Sequence, residues 1–194
     1  VLDTVPGELA PKLALAACAE ADGDMAWADY YYRTVWRTDR SYVSAAFGLA
    51  RALLASGAGE EAADVLNSVP DTSSHFVPAR LMAIRATTTV TDPAALTGDD
   101  LVRAGHQLSV LELDAAREAR MSAELLEAAL AWKQSGGRGV PSAERKVLDY
   151  PLTEHDLRSG LEASYRAMAR QAVDDEERVA LVERANKMRP RTWL

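Results

Sequence analysis

Three histidines, His75, His106 and His155, and a single cysteine, Cys18, are the side chains best suited to metal ligation or nucleophilic chemistry. None of the histidines has a second His, Cys, Asp or Glu at ligand spacing on a shared helical face. His155 and Asp156 are adjacent, so on a helix their side chains point apart. All three read as exposed or hydrogen-bonded histidines. Cys18 lies in an Ala-rich stretch with Glu20 and Asp22 nearby and no base beside it to generate a thiolate; a small buried hydrophobe is the preferred reading. Gly136-Gly137-Arg138-Gly139-Val140-Pro141 lacks the preceding strand and following Gly-Lys-Ser/Thr of a phosphate loop and reads as a solvated linker. The acids Asp174 to Glu177 lack the alternating ligands and turn glycine of a calcium loop, and suit the start of a helix instead. No position is therefore assigned a catalytic, cofactor-binding or metal-binding role.

The elements that carry these residues are helical in character. Of 194 residues, 48% are hydrophobic, and Ala and Leu dominate that share while aromatics make up 6%. Ala and Leu lose little freedom in a helix. The net charge of −7 opposes a phosphate backbone, so nucleic acid is not an expected partner. No apolar run has transmembrane length and no signal peptide is visible. One cysteine cannot form an internal disulfide, which fits a cytoplasmic setting.

The architecture follows from an internal repeat. Leu15, Ala16, Gly23, Ala28, Tyr32 and Val35 recur as Leu49, Ala50, Gly57, Ala62, Leu66 and Val69, each pair 34 residues apart. That is the period of the tetratricopeptide repeat (TPR), a helix–turn–helix unit. Ala16, Ala28, Ala50 and Ala62 fall where paired helices cross closely, Gly23 and Gly57 at the turns, where a left-handed backbone costs glycine little. Tyr32, Val35, Leu66 and Val69 are the larger knobs of the hairpin core. The predicted fold is all-α, a TPR-type solenoid with degenerate C-terminal hairpins: 1–6 as the end of a preceding repeat, 7–40 and 41–72 as repeats, 73–194 as degenerate helical hairpins. Run backwards, the register puts Pro6 at a closing position, so the chain is expected to begin inside a repeat and to be part of a longer protein.

Downstream, Ser73 to Thr87 reads as a helix with Phe76, Arg80 and Ile84 on one spacing. The run Thr87 to Thr91, ahead of Asp92-Pro93, reads as a frayed end and loop. Thr97 with Asp100 signals a cap for a helix reaching Glu112. Met121, Leu125, Ala128 and Trp132 mark one helical face. Thr153 with Asp156 opens a helix with Leu157, Leu161, Tyr165 and Met168 on its face. The last helix runs from Asp174 to Lys187. Ala185 and Pro190 suit closing TPR positions, but Arg178 stands where a small residue belongs, which makes this unit degenerate or a cap.

In a TPR stack the first helix of each hairpin lines a concave groove. The register places Leu13, Ala17 and Glu20, then Ser44, Phe47, Arg51 and Leu54 there. This set is apolar for such a groove: a clamp for a peptide carboxylate wants several cations, and only Arg51 qualifies. Either later helices fill the groove or it takes an apolar partner. Trp27 and Trp36, near Tyr30, Tyr31 and Tyr32, either pack against the next hairpin or form an exposed contact patch; packing is the preferred reading. Trp132 and Trp193 complete the tryptophans.

With these motifs in place, the chain resembles the C-terminal TPR domain of the actinobacterial serine/threonine protein kinase G (PknG) family. The resemblance is carried by Gly7-Glu8-Leu9-Ala10-Pro11-Lys12-Leu13-Ala14-Leu15-Ala16-Ala17, Tyr32-Arg33-Thr34-Val35-Trp36 and Ser44-Ala45-Ala46-Phe47-Gly48-Leu49-Ala50-Arg51-Ala52. It continues in His75-Phe76, Ala79-Arg80-Leu81, Gly160-Leu161-Glu162-Ala163-Ser164-Tyr165-Arg166 and Arg184-Ala185-Asn186-Lys187. It implies a parent enzyme that transfers phosphate from ATP, with Mg²⁺, to Ser or Thr. It also implies a rubredoxin-type iron module and a kinase domain ahead of this part. The TPR part would support the kinase domain and contribute to a homodimer. The substrate implied is a forkhead-associated protein regulating 2-oxoglutarate dehydrogenase and glutamate metabolism. No Gly-rich kinase loop, catalytic His-Arg-Asp or Asp-Phe-Gly occurs in this chain, so no catalytic or metal residue carries over to it. The alternative reading is a stand-alone TPR adaptor or peptide receptor.

Overall fold

The computed structural model describes residues 8–137 and 145–190. The reading of 1–6 as the end of an earlier repeat, the part of the glycine-rich segment from Arg138 to Pro141, and Trp193 lie outside them. The chain divides into two compact units, Val1–Thr87 and Thr88–Leu194. Among the described residues nearly all the regular structure is helical, as the composition favours, and no helix is long and apolar enough to cross a membrane.

The first unit holds α1 (Leu9–Ala21), α2 (Met25–Thr38), α3 (Val43–Ala55), α4 (Gly59–Asn67) and nearly all of α5 (Phe76–Thr88). The two hairpin turns are copies of one another. Gly23 and Gly57 both sit at φ +81°. After the first, Asp24 N–H reaches back to Ala19 C=O at 2.8 Å; after the second, Ala58 N–H reaches Leu53 C=O at 2.9 Å. This six-to-one bond over a left-handed glycine satisfies a helix-end carbonyl and reverses the chain. Asp24 then accepts from Trp27 N–H at 3.2 Å and starts α2; Ala58 has no such side chain, so α4 starts uncapped. The alanines of the register, Ala16, Ala28, Ala50 and Ala62, are fully buried, and Tyr32, Val35, Leu66 and Val69 fill the core around them. Ala79, Ala83 and Ala86 of α5 join the same cluster. This helix starts at Phe76 rather than Ser73, because Ser73 to His75 form a turn.

In the second unit a 3-10 turn (Pro93–Ala95) precedes α6 (Gly98–Ser109), α7 (Ala115–Gln134), β1 (Lys146–Val147), β2 (Tyr150–Pro151), α8 (Glu154–Gln171) and α9 (Asp175–Met188). The capping box at Thr97 and Asp100 is formed in both directions, at 3.1 and 3.2 Å. Thr153 accepts from Asp156 N–H at 3.1 Å, and Asp174 from Glu177 N–H at 2.9 Å. The acid cluster at 174–177 is thus put to use as a helix start. Helix α6 ends at Ser109, three residues short of the predicted Glu112, and Gly136-Gly137 is a helix end: Gly136, at φ +92°, closes α7.

The antiparallel pair β1–β2, with Val147 opposite Tyr150, was not predicted. Two-residue strands carry no alternation to read. The pair is seated on two mid-helix glycines. A Cβ on Gly105 of α6 would lie 2.9 Å from Leu148 N, and one on Gly160 of α8 would lie 2.8 Å from Tyr150 Cδ2. An isolated glycine inside a helical pattern was the available signal.

Candidate interaction surface

Helices α1 and α3 present the residues assigned to the groove. On α1, Leu13, Ala17 and Glu20 follow i, i+4, i+7; on α3, Ser44, Phe47, Arg51 and Leu54 follow i, i+3, i+7, i+10, so each set shares one face. Ala17, Ser44, Arg51 and Leu54 are exposed, while Leu13 and Phe47 are half-buried against the core of the first unit. Leu13 and Phe47 are therefore drawn inward, while Ala17 and Leu54 stay at the surface. His75, in the turn ahead of α5, meets the edge of Phe47 with ring centroids 6.3 Å apart. A later segment thus covers one apolar member of the set.

The centre of this surface is polar. Arg51 of α3 donates from Nε and Nη2 to the two carboxylate oxygens of Glu20 on α1, the second at 2.8 Å. Tyr32 Oη of α2 donates to Glu20 Oε2 at 2.7 Å. The Tyr32 ring lies over Gly48 of α3, so close that a Cβ there would sit 2.3 Å from Tyr32 Cζ. One tyrosine from the second helix of a hairpin thereby ties two first helices together. Sequence spacing brought Glu20 and Arg51 to one surface but could not pair them, since they stand 31 residues apart.

The electrostatics follow from these bonds. The Arg51 guanidinium hydrogen-bonded to Glu20 holds its carboxyl below the usual carboxylate range, against the opposing effect of partial burial. Burial, then the hydrogen bond to Glu20, pushes the Tyr32 phenol up to about 12. Glu20 in turn raises the Arg51 guanidinium. Each group is locked into its ordinary charge state at neutral pH, the opposite of the poise that acid–base catalysis requires. This cluster is a clamp that shapes a surface.

A second exposed feature lies on α2. Trp27 and Tyr30 are 53% and 57% exposed, and with half-buried Tyr31 they form one aromatic cluster. Trp27 stacks on Tyr31 at 5.4 Å between centroids and meets Tyr30 edge-on at 5.6 Å. The packing reading holds for Trp36 alone: it is 2% exposed, its indole N–H donates to Ser68 Oγ at 3.2 Å, and Arg40 covers its ring. For Trp27 it is overturned. The two tryptophans are nine residues apart, 2.5 helical turns, which puts them on opposite faces.

The histidines are exposed, as read. Cys18 is exposed as well, contrary to the buried reading. It follows fully buried Ala16 by two positions, a rotation of about 200° that carries it to the outer face. Among the described residues no three or more His, Cys, Asp or Glu side chains converge as a metal site. An iron of the rubredoxin type takes four cysteine thiolates, and one exposed cysteine cannot supply them, so the residues of this chain do not fit that group.

A family model described as protein kinase G tetratricopeptide repeat matches residues 1–192. The chain belongs to the PknG tetratricopeptide-repeat family. Among its curated relatives, the serine/threonine-protein kinase PknG of Mycolicibacterium smegmatis is 41% identical over 192 residues, which cover 98% of this chain and 24% of the relative. The PknG of Mycobacterium leprae is 40% identical over 194 residues, covering 100% of this chain and 25% of the relative. The chain thus spans about a quarter of the length of these PknG relatives. The helical hairpins, glycine turns and small-residue crossings described above are those of a TPR domain of this family.

Proposed function

We propose that the chain is a non-catalytic interaction and scaffold domain of a PknG-type serine/threonine protein kinase, and that its α1/α3 surface is where a protein partner is received. The observation that carries this reading is the exposure of Ala17, Ser44 and Leu54 around an internally neutralised Glu20–Arg51 pair. A surface whose charges already satisfy one another, flanked by small side chains, suits contact with another folded surface better than capture of a charged small molecule. The partners proposed are the kinase domain of the same protein, a second copy of the chain, and a forkhead-associated substrate. ATP, Mg²⁺ and a rubredoxin-type iron belong, in this reading, to the parent kinase, and none of their ligands is assigned to this chain. A cytoplasmic setting is part of the same proposal.

The test is phosphate transfer by the full-length protein carrying Ala17→Arg and Ser44→Arg. Both positions are exposed, so folding should be preserved. Transfer to the protein substrate is expected to fall at least fivefold while autophosphorylation and the melting temperature stay at parent values. Unchanged substrate transfer would remove this surface from the account.

A further inference from the structure

In the second unit, α6, α7, the β1–β2 pair and α8 border a cleft of about 730 Å³. That lies within the roughly 300–1,000 Å³ typical of small-ligand sites. Its floor is made by small side chains on two facing helices, Ala119 and Ser122 of α7 with Ala163, Ser164 and Ala167 of α8. Larger residues at these positions would fill the space.

Ser164 shows that the floor is more than a gap in packing. It is one of two buried polar residues among the described ones, 8% exposed. Its hydroxyl makes no hydrogen bond within the described protein, although a helical serine ordinarily back-bonds to the carbonyl four residues earlier, as Ser159 does to His155 C=O at 3.0 Å. Among the described residues no buried side-chain nitrogen or oxygen is sealed off without a partner. The residual exposure of Ser164 is therefore on the cleft that it lines. A buried hydroxyl costs free energy unless it is bonded, and here the open direction is the cleft.

The charged lining gives the ligand its character. Lys146 and Arg170 face the cleft, as do Glu118 and Asp149, with His106 beside them. None of these side chains makes an ion pair or hydrogen bond within the described protein. Elsewhere on α8, Arg158 and Arg166 are held in ion pairs, as are Arg178, Arg184 and Arg189 on and just after α9. The cleft thus keeps two cations and two carboxylates in reserve. A phosphate or polyanion would meet the two carboxylates, and a polycation would meet Lys146 and Arg170. A ligand bearing both signs satisfies all four. Hydroxyls that both donate and accept, over a floor of alanines, suit the alternating N–H and C=O groups of a main chain.

We propose that this cleft binds a short peptide segment carrying both charges, acidic groups meeting Lys146 or Arg170, basic groups meeting Glu118 or Asp149, and the peptide backbone meeting Ser164. The site is separate from the α1/α3 surface and stands or falls without it.

The experiment titrates the ¹⁵N-labelled 194-residue chain with end-capped tetrapeptide pools: one Glu and one Lys among alanines in every order, two Glu, or two Lys. The mixed pool is expected to bind at least tenfold more tightly than either single-sign pool, with shifts at Gly105, Ser122 and Ser164. Ser164→Leu should fill the floor and weaken binding at least tenfold. Arg170→Glu, an exposed change that spares folding, should shift preference toward the two-Lys pool. Equal binding of all pools, an unchanged preference in Arg170→Glu, or shifts confined to other surfaces would each overturn the proposal.

Discussion

Replacing Gly48 by alanine tests the packing argument at its tightest point. In an ordinary helix interior the change stabilises, by about 1 kcal/mol of intrinsic propensity. Here the added Cβ would lie 2.3 to 2.5 Å from three atoms of the Tyr32 ring. The ring cannot swing aside freely, because its hydroxyl is bound to Glu20 and Glu20 to Arg51. Overpacking a core costs about 1–3 kcal/mol, and losing a hydrogen bond to a charged group costs about 1.5–3 kcal/mol, less where solvent reaches the pair. Set against the propensity gain, the net is a destabilisation of about 2–4 kcal/mol. For a chain of this size that lowers the melting temperature by about 4–16 °C. Circular dichroism melts of Gly48→Ala and of Gly48→Ala with Tyr32→Leu provide the assay. The second variant shortens the clashing side chain and should recover part of the loss. A single variant that melts at or above the parent would refute the reasoning, since propensity alone would then govern the site.

Ala28→Trp and Ala62→Trp, both at fully buried crossings, should each cost about 1–3 kcal/mol or more in urea unfolding, and parent-like curves would show the repeat register to be wrong. Glu20 titrates lower in the folded chain than unfolded. Its contribution to stability is therefore complete above the unfolded value of about 4.3 and is lost as pH falls through the folded value; Glu20→Gln should flatten that part of the acid stability profile. Tyr32 and Tyr165, both pushed up to about 12, favour folding below the unfolded value of about 10 and lose that contribution as pH rises; absorbance at alkaline pH should show them ionising last, and Tyr32→Phe should remove one of the late phenols. In a Trp193→Phe background, Trp27→Ala should abolish most of the fluorescence quenchable by acrylamide while changing stability by no more than about 0.5 kcal/mol.

The first unit was legible because its determinants are periodic. A turn glycine and four alanine crossings recurring at one interval leave little freedom in how two helices pair. Helix starts in the second unit were legible for a local reason, since Thr97, Thr153 and Asp174 cap through bonds only three residues long. The β1–β2 pair escaped because its strands are too short for a pattern and its seats, Gly105 and Gly160, lie on two different helices. The groove list placed Glu20 and Arg51 on one surface, but spacing could not show that Leu13 and Phe47 turn toward the core or that pairing across 31 residues neutralises the charges. Cys18 was misplaced by its composition and Trp27 by the expectation that second helices touch neighbours on both sides, where helical angle would have served. An Ala-rich neighbourhood suggested burial of Cys18, while counting residues from Ala16 and from Trp36 puts Cys18 and Trp27 outside.

The most direct test of the central claim is a titration of the ¹⁵N-labelled chain with the kinase portion of its own full-length protein, read residue by residue from amide shifts. The account predicts saturable binding with the largest shifts at Ala17, Glu20, Ser44 and Arg51, abolished by Ala17→Arg with Ser44→Arg. Saturable binding confined to the α2 aromatic cluster, or no binding at all, would contradict it.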